Sequence, residues 1–304
     1  MQLSLPVILF DYEGSPFAQK IRLLLTVAGI PFKSCTQPSI LPRPLLDSLD
    51  IKYRRIPILA IGKDIYCDTI CIIDSIQKHF PEKRLIESNA DPAYEAFGKR
   101  TFANALLLVP VSVFGEGFLR DRESIFPVLK RPDFEHLGPT ALGEWMNVLD
   151  IVENQFLASE TPFIGGDKCS LADIHVAWII NWVMVTHKIG RKPGFGPEIF
   201  PRTHAWLGRF PKPEYSTISE KEAKETILGS RYIFPSVEVH EADPLGKWAD
   251  TNVCVETIDD QVGLNKQYGE FIGSTKREIV IRLENTLCLH FPRLGIIVKR
   301  AEDS

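Results

Sequence analysis

The sequence predicts a multidomain α+β chain in three parts: a mixed α/β unit over residues 1–85, an all-helical unit over 91–232, and a small β-barrel over 236–304. Three observations carry this reading. The first 85 residues alternate short apolar runs with helical spacing, as packed βα units do. From Pro92 to about Arg209 the apolar residues recur at helical intervals only. From Ser236 onward the period changes to two, with turn residues between short runs. At 304 residues the chain exceeds one typical domain.

Each element has a local cause. Val7-Ile8-Leu9-Phe10 is continuously apolar, as a strand buried on both faces requires. The turn Glu13-Gly14-Ser15-Pro16 follows, and Ile21, Leu24, Leu25 and Ala28 then mark a helix ended by Gly29. Pro16 suits the first helical turn, where its missing N–H would be unpaired in any case. A strand is expected over Pro31–Cys35 and an irregular or helical connection over Leu41–Leu49. Pro57–Ile61 and Ile65–Cys67, joined through Gly62-Lys63-Asp64, read as a hairpin. Asp68-Thr69 opens a helix with an apolar stripe at Ile72, Ile73, Ile76 and Phe80.

Residues 83–93 read as a linker. Helices are expected over Tyr94–Val109 and Leu142–Leu157, and one more starts at Ser170-Leu171-Ala172-Asp173, which has the form of a capping box. Ser219–Leu228, rich in Lys and Glu, reads as an exposed helix. Alternation at Val253/Val255, at Ile279/Ile281/Leu283 and at Ile296/Val298 contributes to five expected strands.

Composition excludes several functional classes. A net charge of −4 gives no electrostatic footprint for nucleic acid or an anionic membrane. No apolar run approaches the ~20 residues needed to span a bilayer, and no secretory leader is expected. The six cysteines form no C-x-x-C pair and no zinc-spaced cluster, and the seven histidines show no H-E-x-x-H pattern. Free thiols in a reducing cytoplasm and no bound metal are the expectation.

Four ordered segments carry a resemblance: Ser15-Pro16-Phe17 between the first strand and helix, Arg55-Ile56-Pro57-Ile58-Leu59, Asp68-Thr69-x-x-Ile72-Ile73, and Phe163-Ile164-Gly165-Gly166 followed by Ser170-Leu171-Ala172-Asp173. Together they resemble the soluble glutathione transferases of serine or cysteine type over about residues 5–210. The resemblance implies a thioredoxin-like N-terminal domain and glutathione as cosubstrate. Ser15, at a helix N-terminus, would stabilise the thiolate, with Tyr12 as the alternative donor. A cis peptide before Pro57 would free the Ile56 backbone for the cysteinyl unit. Thr69 would take the γ-glutamyl carboxylate, Asp68 the ammonium group, and Lys52 and Arg54 the glycyl carboxylate. Leu49-Asp50-Ile51 stands where the family often has Asn-Pro. Serine in place of cysteine at position 15 argues against a thiol oxidoreductase.

The same hydroxyl, and Asp68 and Thr69 with it, would equally serve as helix caps. Tyr94, Phe114 and Phe118 would line an acceptor pocket or simply pack in the core. The C-terminal part is similar to an SH3-like barrel appended to some fungal transferase-like proteins, often linked to secondary metabolism. The activity implied is conjugation of glutathione to a hydrophobic electrophile by a homodimer. A glutathione-dependent isomerase or eliminase is one alternative, and a non-catalytic scaffold using the barrel as partner module is another.

Overall fold

The computed structural model describes residues 5–159, 161–233, 238–240 and 242–304; Ser236, the expected start of the C-terminal part, lies outside them. The described residues form two compact units rather than three. One gathers residues 1–21, 31–81 and 215–304, and the other residues 22–30 and 82–214.

In the first unit β1 (Val7–Asp11) leads through a turn into α1 (Pro16–Val27), whose residues from Arg22 onward belong to the second unit, and the first unit resumes with β2 (Lys33–Thr36) and the short α2 (Pro44–Ser48). The hairpin β3 (Ile58–Ile61) and β4 (Asp64–Cys67) precedes α3 (Thr69–His79). β1 runs parallel to β2 and antiparallel to β3, giving the expected βαβ–ββα order. The hairpin turn depends on Gly62. Its φ is +63°, and a Cβ there would lie 2.2 Å from the Arg231 carbonyl oxygen, so only glycine lets the two segments meet.

The second unit contains α4 (Asp91–Ala105), α5 (Val111–Arg122), α6 (Gly138–Ile151), α7 (Leu171–Asn181) and α8 (Pro201–Leu207). α4 packs on α7, with the Phe102 ring 5.8 Å from both Trp178 and Trp182, so the tryptophan pair packs in this helical core. The expected capping box is formed. Asp173, fully buried, accepts hydrogen bonds from the Ser170 N–H and hydroxyl, the Ile164 and Gly165 N–H groups and the Trp206 indole. Phe114 and Phe118 stack at 5.5 Å on α5, and Tyr94 meets Phe156 edge-on at 4.9 Å.

Back in the first unit come β5 (Ser216–Thr217), which adds to β2, and α9 (Glu220–Leu228), capped by a Ser219/Glu222 box. Sequence order groups α9 with the helical part; in the structure it shares the core of the first unit through Ala223 and Ile227. The C-terminal strands are β6 (Asn252–Thr257), β7 (Gln267–Ser274), β8 (Glu278–Arg282), β9 (Cys288–Pro292) and β10 (Ile296–Arg300). β6 to β9 form an antiparallel meander, and β10 returns to pair with β6.

The five expected strands are therefore present, but they are no separate module. β9 pairs in parallel with β4, which joins all ten strands into one sheet in the order β10-β6-β7-β8-β9-β4-β3-β1-β2-β5. Alternation reveals that a strand has an apolar face but not which edge it will meet. One core follows: Ile8, Phe10, Ile58, Ala60 and Ile65 pack in a single cluster with Val253, Val255, Phe271, Ile279, Ile281 and Phe291. No described helix is long and apolar enough to cross a membrane.

Candidate functional site

Strand register places the candidate residues at one end of the sheet. Phe10 lies opposite Ile58, and Ile58 opposite Cys67. The next residue outward on each strand is therefore Asp11, Pro57 or Asp68, so the turn carrying Tyr12 and Ser15, the Ile56-Pro57 segment and the start of α3 share that end. Residues scattered along the sequence form one row in space.

Ser15 is 2% exposed, and its hydroxyl oxygen accepts the Ala18 N–H at 3.2 Å, the N-cap bond of α1. That bond uses the oxygen as acceptor, and among the described residues no acceptor takes its O–H. Tyr12 is half-buried against the core of this unit, and its carbonyl receives the Ser15 N–H at 3.3 Å. Of the two candidate donors, only Ser15 stands at the first turn of α1.

The Ile56–Pro57 peptide is cis. Ile56 lies outside the strand ladder, and among the described residues its N–H and C=O have no backbone partner. Asp68 adopts φ 74°, ψ 146°, a region that costs a non-glycine residue about 1–3 kcal/mol. In that conformation its carboxylate caps α3 by accepting the Ile70 N–H at 2.9 Å. Thr69, the first residue of α3, is 3% exposed, and its hydroxyl has no hydrogen-bond partner among the described residues. A hydroxyl buried without a partner costs about 1–3 kcal/mol, and here it sits where the helix dipole and free first-turn N–H groups favour an anion.

Lys52 and Arg54, the residues expected at the glycyl carboxylate, both meet carboxylates of the chain itself. Arg54 is buried and ion-paired with Asp260 at 3.1 Å, so its charge is already matched by the β6–β7 loop. Lys52 donates its backbone N–H to Gln267 and points its ammonium group at Asp47 and Asp50. The C-terminal part packs on this loop and supplies the counter-charge of Arg54, whereas the Lys52 ammonium group finds its carboxylates on its own stretch of chain. The neighbouring Arg55 meets Asp259 at 2.5 Å. Burial alone would lower the pKa of its guanidinium, but the carboxylates of Asp259 and then Asp68 outweigh it and the pKa is raised. The Tyr53 hydroxyl is pushed well above its ordinary pKa by burial and then by Asp68, and so stays neutral.

A second ionic cluster escapes the sequence reading entirely. His290 on β9, fully buried, meets Asp64 of β4 at 3.0 Å through Nε2 and Glu278 of β8 at 3.2 Å through Nδ1. Asp64 also accepts the Ile233 N–H, and the imidazole stacks on Tyr66 at 4.4 Å. Burial disfavours the charged imidazole, yet the two carboxylates prevail and its pKa is raised. Glu278 is lowered: burial works against its charge, and the contact with His290 outweighs burial. His79, nearby, is held neutral, its pKa lowered to about 4 by burial and by Lys78 and His290. The available signal was a histidine inside the otherwise apolar run Cys288-Leu289-His290-Phe291, which implies a buried partner. This cluster joins the two halves of the sheet. Among the described residues no group of three or more His, Cys, Asp or Glu side chains is arranged to hold a metal ion.

Residues 9–84 match the family model of the glutathione S-transferase N-terminal domain, and residues 104–218 match that of a domain of unknown function, DUF7962. A probable glutathione S-transferase of Glycine max is 20% identical over 208 residues, covering 66% of this chain and 82% of that protein. Glutathione S-transferase U22 of Arabidopsis thaliana is 23% identical over 185 residues, covering 60% and 76%. Among solved structures, a GST-like protein from Pseudomonas syringae aligns at 25% identity with a TM-score of 0.71, over 97% of this chain and 99% of that one. Glutathione transferase GSTFuA3 from Phanerochaete chrysosporium aligns at 15% identity and a TM-score of 0.50, over 69% of this chain and 100% of its own. The chain is glutathione S-transferase-like, with a thioredoxin-fold N-terminal domain and a helical domain. The alignment with the bacterial structure, at 97% of this chain, takes in most of the C-terminal strands as well.

Proposed function

We propose that this chain binds glutathione at the end of the sheet formed by Ser15, Ile56-Pro57 and Asp68-Thr69, and transfers it to a hydrophobic electrophile. The observation that carries the reading is the Thr69 hydroxyl, buried and unpartnered at the start of α3. A carboxylate placed there would accept its O–H and the first N–H groups of the helix. Asp68, strained into position beside it, presents a negative charge to the γ-glutamyl ammonium group. The N–H and C=O of Ile56, without a backbone partner among the described residues, match the cysteinyl backbone, as a short added strand would.

Glutathione bound in this way brings its sulfur toward Ser15. The thiol must ionise to attack an electrophile. Serine is far too weakly acidic to act as base; its O–H, free to donate, and the positive end of α1 stabilise the thiolate. The match of residues 9–84 to the transferase N-terminal domain, which contains every residue of the site, supports glutathione as the ligand. The C-terminal strands, read as a small SH3-like barrel, are built into the core rather than displayed as a partner module, which favours the enzyme reading over the scaffold.

Calorimetric titration of the full chain with glutathione tests this directly. Binding at or below millimolar concentration is expected, and an absence of heat at saturating ligand overturns the assignment. Turnover is tested separately with common electrophiles, where Ser15→Ala is expected to lower kcat roughly 10-fold or more, the scale of removing one stabilising donor. Glutathione stoichiometry distinguishes conjugation, which consumes it, from isomerisation, which does not.

A further inference from the structure

Residues 51–57 contain no regular secondary structure, so no ladder holds the segment that presents the Ile56 backbone. The C-terminal sheet holds it instead, from several sides. Arg54 reaches Asp260 with side chains only 4% and 3% exposed, and Asp260 is itself fixed by the Gln261 N–H and by Asn265. Arg55 reaches Asp259. Gln267 accepts the Lys52 N–H at 2.7 Å and donates to the Asp50 carbonyl at 3.1 Å, while Asn285 donates to the Leu49 carbonyl at 2.7 Å. Tyr53 packs edge-on against Phe291, ring centroids 5.9 Å apart. Arg43, from the other side, donates to the Arg54 carbonyl.

We infer that the β6–β7 loop is a positioning element for the ligand site, with Asp260 and Asp259 holding residues 51–57 in the conformation that leaves the Ile56 N–H and C=O without a backbone partner among the described residues. A loop left to itself samples many conformations, and ordering it on binding subtracts from affinity. The two arginine–aspartate contacts and the Gln267 clamp order it in advance. Asp259 acts through Arg55, the residue that precedes Ile56. The inference rests on the glutathione reading above, and it gives the C-terminal sheet a role in that site.

The test measures KM and Kd for glutathione in full-length wild type, Asp260→Asn, Asp259→Asn and Glu270→Gln; the last removes an exposed ion pair with Arg282 elsewhere on the C-terminal sheet. Asp260→Asn is expected to raise both constants about 10-fold with kcat within about twofold, and Asp259→Asn about threefold. Glu270→Gln leaves them unchanged. Amide exchange of residues 51–57 without ligand should quicken in the two loop variants. Asp259 is exposed, so that variant folds even where the loss of the buried Asp260 charge lowers thermal stability. If wild type binds glutathione and both loop variants bind equally well, the positioning role is overturned while the site assignment stands. If wild type binds none, the site assignment fails and takes the positioning role with it.

Discussion

The two ends of β4 handle buried polar groups in opposite ways. At its start, Asp64 is fully engaged: one oxygen on His290 and the other on the Ile233 N–H, with Glu278 completing the imidazolium's partners. Just beyond its end, Asp68 is strained and the Thr69 hydroxyl is buried without a partner among the described residues. A satisfied buried cluster fastens one piece of a fold to another. A hydroxyl buried without a partner among the described residues, at a helix N-terminus, is stability that a bound anion would restore. The first end is not wholly satisfied either: among the described residues the Tyr66 hydroxyl has no hydrogen-bond partner.

That comparison can be broken by mutation. The largest effect is expected from His290→Ala, which leaves the Asp64 carboxylate buried without its charged partner and Glu278 with only Lys78, 3.9 Å away. Stability should fall by ~3–5 kcal/mol, read by denaturant unfolding, with glutathione affinity little changed in the folded fraction. Next comes Thr69→Val, for which the comparison requires the reverse pattern. Removing an orphan hydroxyl should leave stability equal or slightly higher, while lost hydrogen bonding to a charged group weakens glutathione by ~1.5–3 kcal/mol. Affinity retained in Thr69→Val would break the distinction between the two ends.

A gentler effect is expected from pH. The His290 pKa is raised above its ordinary 6.5, so its stabilisation is complete below that value and is lost as pH rises through the folded-state pKa. Glu278 is lowered from 4.5, so its contribution is present above that value and is lost as pH falls through its folded pKa. Thermal stability should therefore decline as pH rises past neutrality, and His290→Phe should flatten that limb. An equally steep decline in the variant would assign it to other groups.

Much of this was legible in the sequence, and the pattern of success is physical. Val7–Phe10, the Gly62 hairpin, the Ser170/Asp173 box and the alternation that starts at Val253 depend on local spacing, which a chain displays openly. The residues at the site end were recognisable because each of their motifs is contiguous. What stayed hidden was long-range pairing. Asp64 read as a turn residue and His290 as one of several dispersed histidines, because 226 positions separate them. Arg54 read as a free cation for the same reason: nothing near it in the chain announces Asp260.

The parallel pairing of β4 with β9 also sets an order of events in synthesis. The hairpin 58–67 leaves the ribosome long before residues 288–292, and until those strands exist the β4 edge has no neighbour. An open edge of this kind recruits other strands, and contacts so distant in sequence form slowly. Truncation before β9 is therefore expected to lower solubility sharply by leaving the β4 edge open, which sedimentation of chain 1–287 against the full chain would measure.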